Sequence, residues 1–168
     1  MKIPNTKKDI LPNGIVLLVE EIPALRSVSV GLLTGAGSAN EDKNVMGISH
    51  FIEHMTFKGT QKRSALQIAQ SLDNVGGKLN AFTSKELTVY YSVVQDKHID
   101  IALDVLSDMF LNSLYKEDDI ELEKNVVLEE IKMYEDTPDE QIHDLFASTI
   151  LENHSYGNVT LGSDETVK

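Results

Sequence analysis

His50 and His54 stand four residues apart with Glu53 between them, and that spacing is chemically useful on one backbone conformation above all. On an α-helix, residues four apart are separated by about 40° around the axis and stack one turn apart. The two imidazoles can then aim at a single metal ion. Glu53 lies about 60° back from His50 on the same broad face, where it can act on a water beside a metal without being a ligand. The segment therefore predicts a helix with one chemically active face. Short patterns of this kind also arise as solvated or core histidines, so the surrounding residues decide its weight.

Composition narrows what can complete such a site. The 168 residues include no cysteine and no tryptophan. This excludes disulfides, a thiol nucleophile, thiolate zinc sites and cysteine-ligated iron–sulfur clusters. Any metal must be held by His, Asp or Glu. A catalytic zinc expects three protein ligands and an open position for water, so the third ligand should be a carboxylate or a histidine. The net charge of −12, from 27 acidic against 15 basic residues, argues against nucleic acid or an anionic membrane as a partner. With 41% hydrophobic and 25% charged residues the chain falls in the globular class, and its length suits one domain. No stretch approaches the run of about eighteen apolar residues that a membrane span needs. Met1 to Lys8 lacks both the apolar core of a secretory signal and the Arg-rich pattern of a mitochondrial presequence, so a cytoplasmic location is expected. Gly162 to Lys168 gives no strong stop to the fold, and a longer parent chain is expected.

Hydrophobic periodicity predicts alternating strands and helices. Ile10 to Val19 reads as two short strands around the Asn13-Gly14 turn. Ser27 to Thr34 alternates as a strand with one buried face, and Gly35-Ala36-Gly37-Ser38 follows as a loop without the pattern of a phosphate-binding motif. Val45 to about Phe57 is helix-compatible, ended by Lys58-Gly59-Thr60. Ser64 is placed as the N-cap of a helix running to Val75, and Gly76-Gly77 stops it. Lys78 to Val94 is rich in β-branched and aromatic residues and predicts one or two strands. Asp96 to Asn112 carries Ile99, Ala102, Leu103, Leu106, Met109 and Phe110 at helical spacing. Lys116 to about Asp136 is a longer helix with Ile120, Val127 and Ile131 on one stripe. Pro138 opens a last helix to about Leu151. The expected class is α+β, a mainly antiparallel sheet with helices packed on one face. Met109, Phe110 and Phe146 are expected in the core.

The long helix offers Glu117, Asp118, Asp119, Glu121, Glu123, Glu129 and Glu130 as candidate third ligands. Spacing does not choose among them. Glu123 and Glu130 are seven apart, about 20° from eclipsed, and so form a stacked pair suited to one ligand and one supporting group. For most of the seven, a solvated acidic face is the better reading. His98, His143 and His154 are expected to be solvated or structural, and Ser49 and Ser64 have no His/Asp partner that would suggest a serine hydrolase.

The stretch Gly47-Ile48-Ser49-His50-Phe51-Ile52-Glu53-His54-Met55-Thr56-Phe57-Lys58-Gly59-Thr60 closely resembles the zinc helix of the pitrilysin/insulinase family, in its H-x-x-E-H or inverted-zincin order. It is most similar to the processing-peptidase-like branch. Further matches run in order: Leu11-Pro12-Asn13-Gly14, Asn80-Ala81-Phe82-Thr83-Ser84 with Tyr90-Tyr91, Val126 to Ile131, and Leu161-Gly162. One departure is Ala39, where members of that branch often carry Arg.

The resemblance implies a processing-peptidase-like fold and a zinc-dependent metalloendopeptidase acting on extended or unfolded peptides. By the resemblance, His50, His54 and Glu130 are the zinc ligands. Glu53 is the base that activates the attacking water. Glu123 supports catalysis one heptad before the ligand glutamate. Asn80, Ala81 and Phe82 lie on the edge strand that holds the peptide, a mode in which backbone hydrogen bonds supply affinity. The cofactor expected is Zn2+. The partners expected are a peptide or unfolded protein and the missing C-terminal domains of the same chain. Residues 1–168 then form a single N-terminal zinc-binding domain, and a dimer is compatible with this reading. The alternative is a non-catalytic scaffold, or a zinc-binding fragment inactive without its missing domains. The segment from Lys116 to Glu140 alone carries −8 of the −12, so the acidic balance contains the expected ligand and its support.

Overall fold

The structure is a computed structural model and describes residues 6–152 and 154–168. Met1 to Asn5, part of the segment read above for targeting signals, lie outside the described residues. The chain opens with an antiparallel hairpin of β1 (Thr6–Ile10) and β2 (Val16–Glu20). Gly14 takes φ 88° in its turn, the left-handed region that glycine enters without a Cβ penalty. Leu11 N donates to Ile15 O at 2.9 Å across the loop. The Asn13-Gly14 turn is thus where the sequence places it. Both strands are exposed along their whole length.

A second, three-stranded antiparallel sheet holds β3 (Ser27–Thr34), β4 (Lys78–Thr83) and β5 (Thr88–Gln95) in the order β3-β5-β4. Its register aligns Val30 with Ser92 and Leu32 with Tyr90, and on the other side Leu79 with Ser92 and Ala81 with Tyr90. These residues share one face, because side chains alternate along a strand. That face is the one the helices cover, and Tyr90, Ser92 and Val94 are buried on it. The sheet is therefore the α+β arrangement expected, with helices on one side. The opposite face carries Leu33 and Phe82, at 68% and 48% exposure.

Among the described residues six α-helices run in chain order: α1 (Ile48–Thr56), α2 (Ala65–Asp73), α3 (Ile99–Asn112), α4 (Glu117–Glu135), α5 (Pro138–Ile150) and the single turn α6 (Asp164–Val167). Ser64 caps α2, accepting from Gln67 N while Gln67 Oε1 accepts from Ser64 N, a reciprocal arrangement that satisfies two end donors. Ile68 and Leu72 from α2, Ala102, Val105 and Met109 from α3 and Val94 from β5 make the main core. Val127 and Ile131 of α4 pack with Val167, against Phe51 of α1.

Five expectations need correction. The first strand read within Ile10 to Val19 lies earlier, at Thr6–Ile10, and the helix read from Asp96 begins at Ile99, after a separate 3-10 turn at Asp96–His98. The helix placed from Val45 starts at Ile48, because Met46 is extended and Gly47 turns the chain at φ 87°. Phe110 is 43% exposed, covering the edge of Tyr90 at a 5.9 Å ring-centroid distance. Phe146 is 66% exposed, because α5 buries no residue and turns its apolar stripe outward.

Candidate metal centre

Helix α1 is set by backbone contacts rather than by its own propensity. A Cβ on Gly47 would lie 2.6 Å from Leu161 O, and one on Gly162 would lie 2.5 Å from Met46 O. Both glycines have positive φ. Two segments far apart in sequence thus touch through bare backbone. The first turn of α1 is closed by Glu41, whose carboxylate accepts from Gly47 N at 2.7 Å and Ser49 N at 2.8 Å. A carboxylate there satisfies two unpaired N–H groups and complements the helix dipole.

On this helix His50 and His54 converge. Their Nε2 atoms lie 3.2 Å apart. Glu130 on α4 brings Oε2 to 3.4 Å from His54 Nε2 and 3.7 Å from His50 Nε2. These three ligand atoms are the group among the described residues that could hold a metal ion. Zinc–nitrogen and zinc–oxygen bonds of about 2.0–2.2 Å in tetrahedral array imply ligand–ligand edges of about 3.3 Å, so the observed triangle fits. The donor set also fits chemically. His54 Nδ1 faces Glu123 Oε1 at 2.9 Å, which holds the proton on Nδ1 and leaves the Nε2 lone pair aimed at the centre. Burial first, and the neighbouring His54 second, pull His50 down to about 4, so this ring is neutral at pH 7, as a ligand must be.

Glu53 stands beside this group. Its Oε2 accepts a hydrogen bond from Thr83 Oγ1 at 2.5 Å. Burial raises its carboxyl above the usual range; the Thr83 bond and the charge of His54 oppose that shift and the charge of Glu130 adds to it. Glu123 is 3% exposed. Burial pushes its carboxyl up, but the hydrogen bonds from Lys58 and His54, with the charges behind them, outweigh that and hold it below the ordinary value.

The seven acidic candidates are separated by this geometry. Glu130 reaches the histidines and Glu123 holds one of them. Glu117, Asp118, Glu121 and Glu129 are exposed and Asp119 is half-buried, and Glu129 is engaged by Lys132. His98, His143 and His154 do not join the group. Asn80, Ala81 and Phe82 lie on β4, an edge of its sheet among the described residues. Alternation divides them. Ala81 faces the helices, whereas Asn80 and Phe82 are exposed. Ala81 N donates to Asn80 Oδ1 at 2.9 Å. Glu41, Lys58 and Thr83 also take positioning roles here, which their places in the sequence do not mark as such. Lys58 and Thr83 stand inside the matched motifs, and nothing local in the sequence marks Glu41.

The His/His/Glu group could hold a metal ion, and comparison with known proteins shows which family the fold belongs to. The family model for insulinase, peptidase family M16, matches residues 16–164. This chain belongs to that family. It is 52% identical over 155 residues to an uncharacterized zinc protease, YmxG, of Bacillus subtilis, covering 92% of this chain and 38% of the relative. It is 45% identical over 157 residues to an uncharacterized zinc protease of Mycobacterium leprae, covering 94% and 35%. A protease from Helicobacter pylori superposes with a TM-score of 0.92 at 26% identity, over 98% of this chain and 40% of that one. An inactive M16 peptidase domain from Pseudomonas fluorescens superposes at 0.87 with 18% identity, over 97% and 40%. This chain spans well under half the length of each of these proteins.

Proposed function

We propose that residues 1–168 are the zinc-bearing N-terminal domain of a longer metalloendopeptidase that hydrolyses extended or unfolded peptides. The observation that carries this reading is the triangle of His50 Nε2, His54 Nε2 and Glu130 Oε2 with the Glu53 carboxyl beside it. A zinc ion held by those three atoms would lower the pKa of a water and polarise a scissile carbonyl. With zinc bound, Glu53 would accept a proton from the attacking water and return it to the leaving amine. Thr83 occupies Glu53 Oε2, which leaves Oε1 for the water. The raised Glu53 carboxyl suits a base that must also give its proton back. Glu123 keeps the proton on His54 Nδ1 and so keeps Nε2 free to ligate. A substrate peptide adds as a strand along the edge that β4 forms among the described residues, at Asn80, Ala81 and Phe82, with main-chain hydrogen bonds supplying affinity. The partners follow: a peptide or unfolded protein, and the remaining domains of the parent chain.

A second reading has its own support. The chain covers 38% and 35% of the two relatives described. Under that reading the domain binds zinc, and hydrolysis requires the rest of the parent protein. The test uses this chain and its full-length parent, each with an unstructured peptide. In the parent, Glu53→Gln is expected to retain zinc and lose hydrolysis by at least about a hundredfold, the scale of general-base catalysis. Cleavage at the unaltered rate would remove Glu53 from the mechanism. Zinc bound to the short chain without cleavage, alongside an active parent, would favour the second reading.

A further inference from the structure

Lys58 follows α1 by two residues, and its backbone N–H closes the helix end on Met55 O at 3.0 Å. Its side chain, one-third exposed, turns inward and pairs through Nζ with Glu123 Oε2, on a side chain only 4% exposed. The other oxygen of that carboxylate, Oε1, faces His54 Nδ1 at 2.9 Å. The two oxygens of Glu123 are thus held from opposite partners. A carboxylate fixed at one oxygen can still swing about its terminal torsion, which is broad and soft. Fixed at both, it presents Oε1 to the imidazole in one orientation. The charge balance points the same way. A buried carboxylate needs a compensating cation, and a ligating His54 is neutral. Lys58 supplies that positive charge.

We propose that Lys58 is a positioning residue of the metal centre: by pinning Glu123 Oε2 it fixes the carboxylate that orients His54, and so sets how well His50, His54 and Glu130 hold zinc. The proposal rests on the reading of those three residues as ligands. Lys58 is not one of the three candidate ligands; its influence passes through Glu123.

The test is the zinc dissociation constant, measured by competition with a chromogenic chelator, for this chain and for K58M, K58R, E123Q and K58M/E123Q. Groups that orient ligands typically change metal affinity by 10–100-fold, and K58M, one contact further out, is expected to weaken zinc by about tenfold. K58R, which restores the cation, should recover most of this. In the E123Q background K58M is expected to change the constant by less than about twofold, because the route through the carboxylate is gone. The cobalt-substituted absorption spectrum of K58M should shift as His54 reorients, a change that a general loss of stability would not produce. If K58M does not fold, K58Q reads the same quantity. Parent-like zinc affinity in K58M or K58Q, or an equal weakening with and without E123Q, would overturn the proposal. If this chain without substitutions binds no zinc, the ligand reading itself is overturned, and that failure is thereby distinguishable.

Discussion

A buried imidazole beside a second imidazole is costly to charge, and His50 carries the consequence. Burial and the charge of His54 bring it to about 4, against about 6.5 in an unfolded chain. The unfolded state therefore binds more protons once pH drops below about 6.5. The stability contributed by neutral His50 is complete above that value and is lost as pH falls through about 4. In chelated protein this single group is expected to account for roughly 3 kcal/mol between pH 6.5 and 4, read from denaturant midpoints. His50→Gln should flatten that pH slope, and an unchanged slope would contradict the burial argument. His50, Glu53 and His54 are legible in the sequence because their relation lies within one helix. Glu130 is one of seven candidates by spacing, and singling it out by geometry needs the docking of α4 on α1. Glu41, Lys58 and Thr83 act through partners up to 65 residues away for Lys58 and Glu123; no local pattern announces such contacts.

At the scale of the element, α1 depends on how it begins. Gly47 combines a φ of 87° with an approach of 2.6 Å between its absent Cβ and Leu161 O. Gly47→Ala is expected to cost more than about 1 kcal/mol from backbone strain alone, with the collision adding to it. The measurement is a urea midpoint, with zinc content followed in parallel since His50 sits in the first turn of this helix. A midpoint equal to the parent's would contradict the account of the α1 start. Periodicity predicts the extents of α2 and α4 closely because each has a buried stripe, such as Ile68 and Leu72 on α2, but it starts α3 at Asp96, where Asp96–His98 form a separate 3-10 turn before Ile99. It misplaces the start of α1, because Val45 and Met46 are apolar but the chain there is still turning. It also misjudges Phe146. Helical spacing identifies an apolar stripe, yet only the surrounding fold decides whether that stripe is covered.

Across the whole molecule, apolar surface is unevenly spent. The β1–β2 hairpin exposes Val16, Leu17 and Leu18 at 51%, 43% and 64%, and α5 exposes Ile142, Leu145 and Ile150 at 55%, 61% and 63%. A two-stranded hairpin exposed on both faces has little independent stability. Its amides are therefore expected to exchange with solvent faster than those of β5, which lies between two strands; equal protection in both would contradict this. No helix among the described residues is long and apolar enough to cross a membrane. The three-stranded sheet, α1 and α4 together bring His50, His54, Glu123 and Glu130 from segments about 70 residues apart into one place, and the central claim is that this place binds zinc. Zinc stoichiometry and affinity, measured on the purified chain and on His54→Ala and Glu130→Gln, test it most directly. One zinc per chain is expected, lost in His54→Ala and bound at least about tenfold more weakly in Glu130→Gln. Zinc retained at parental affinity in both variants would show that the ion, if bound, is held elsewhere.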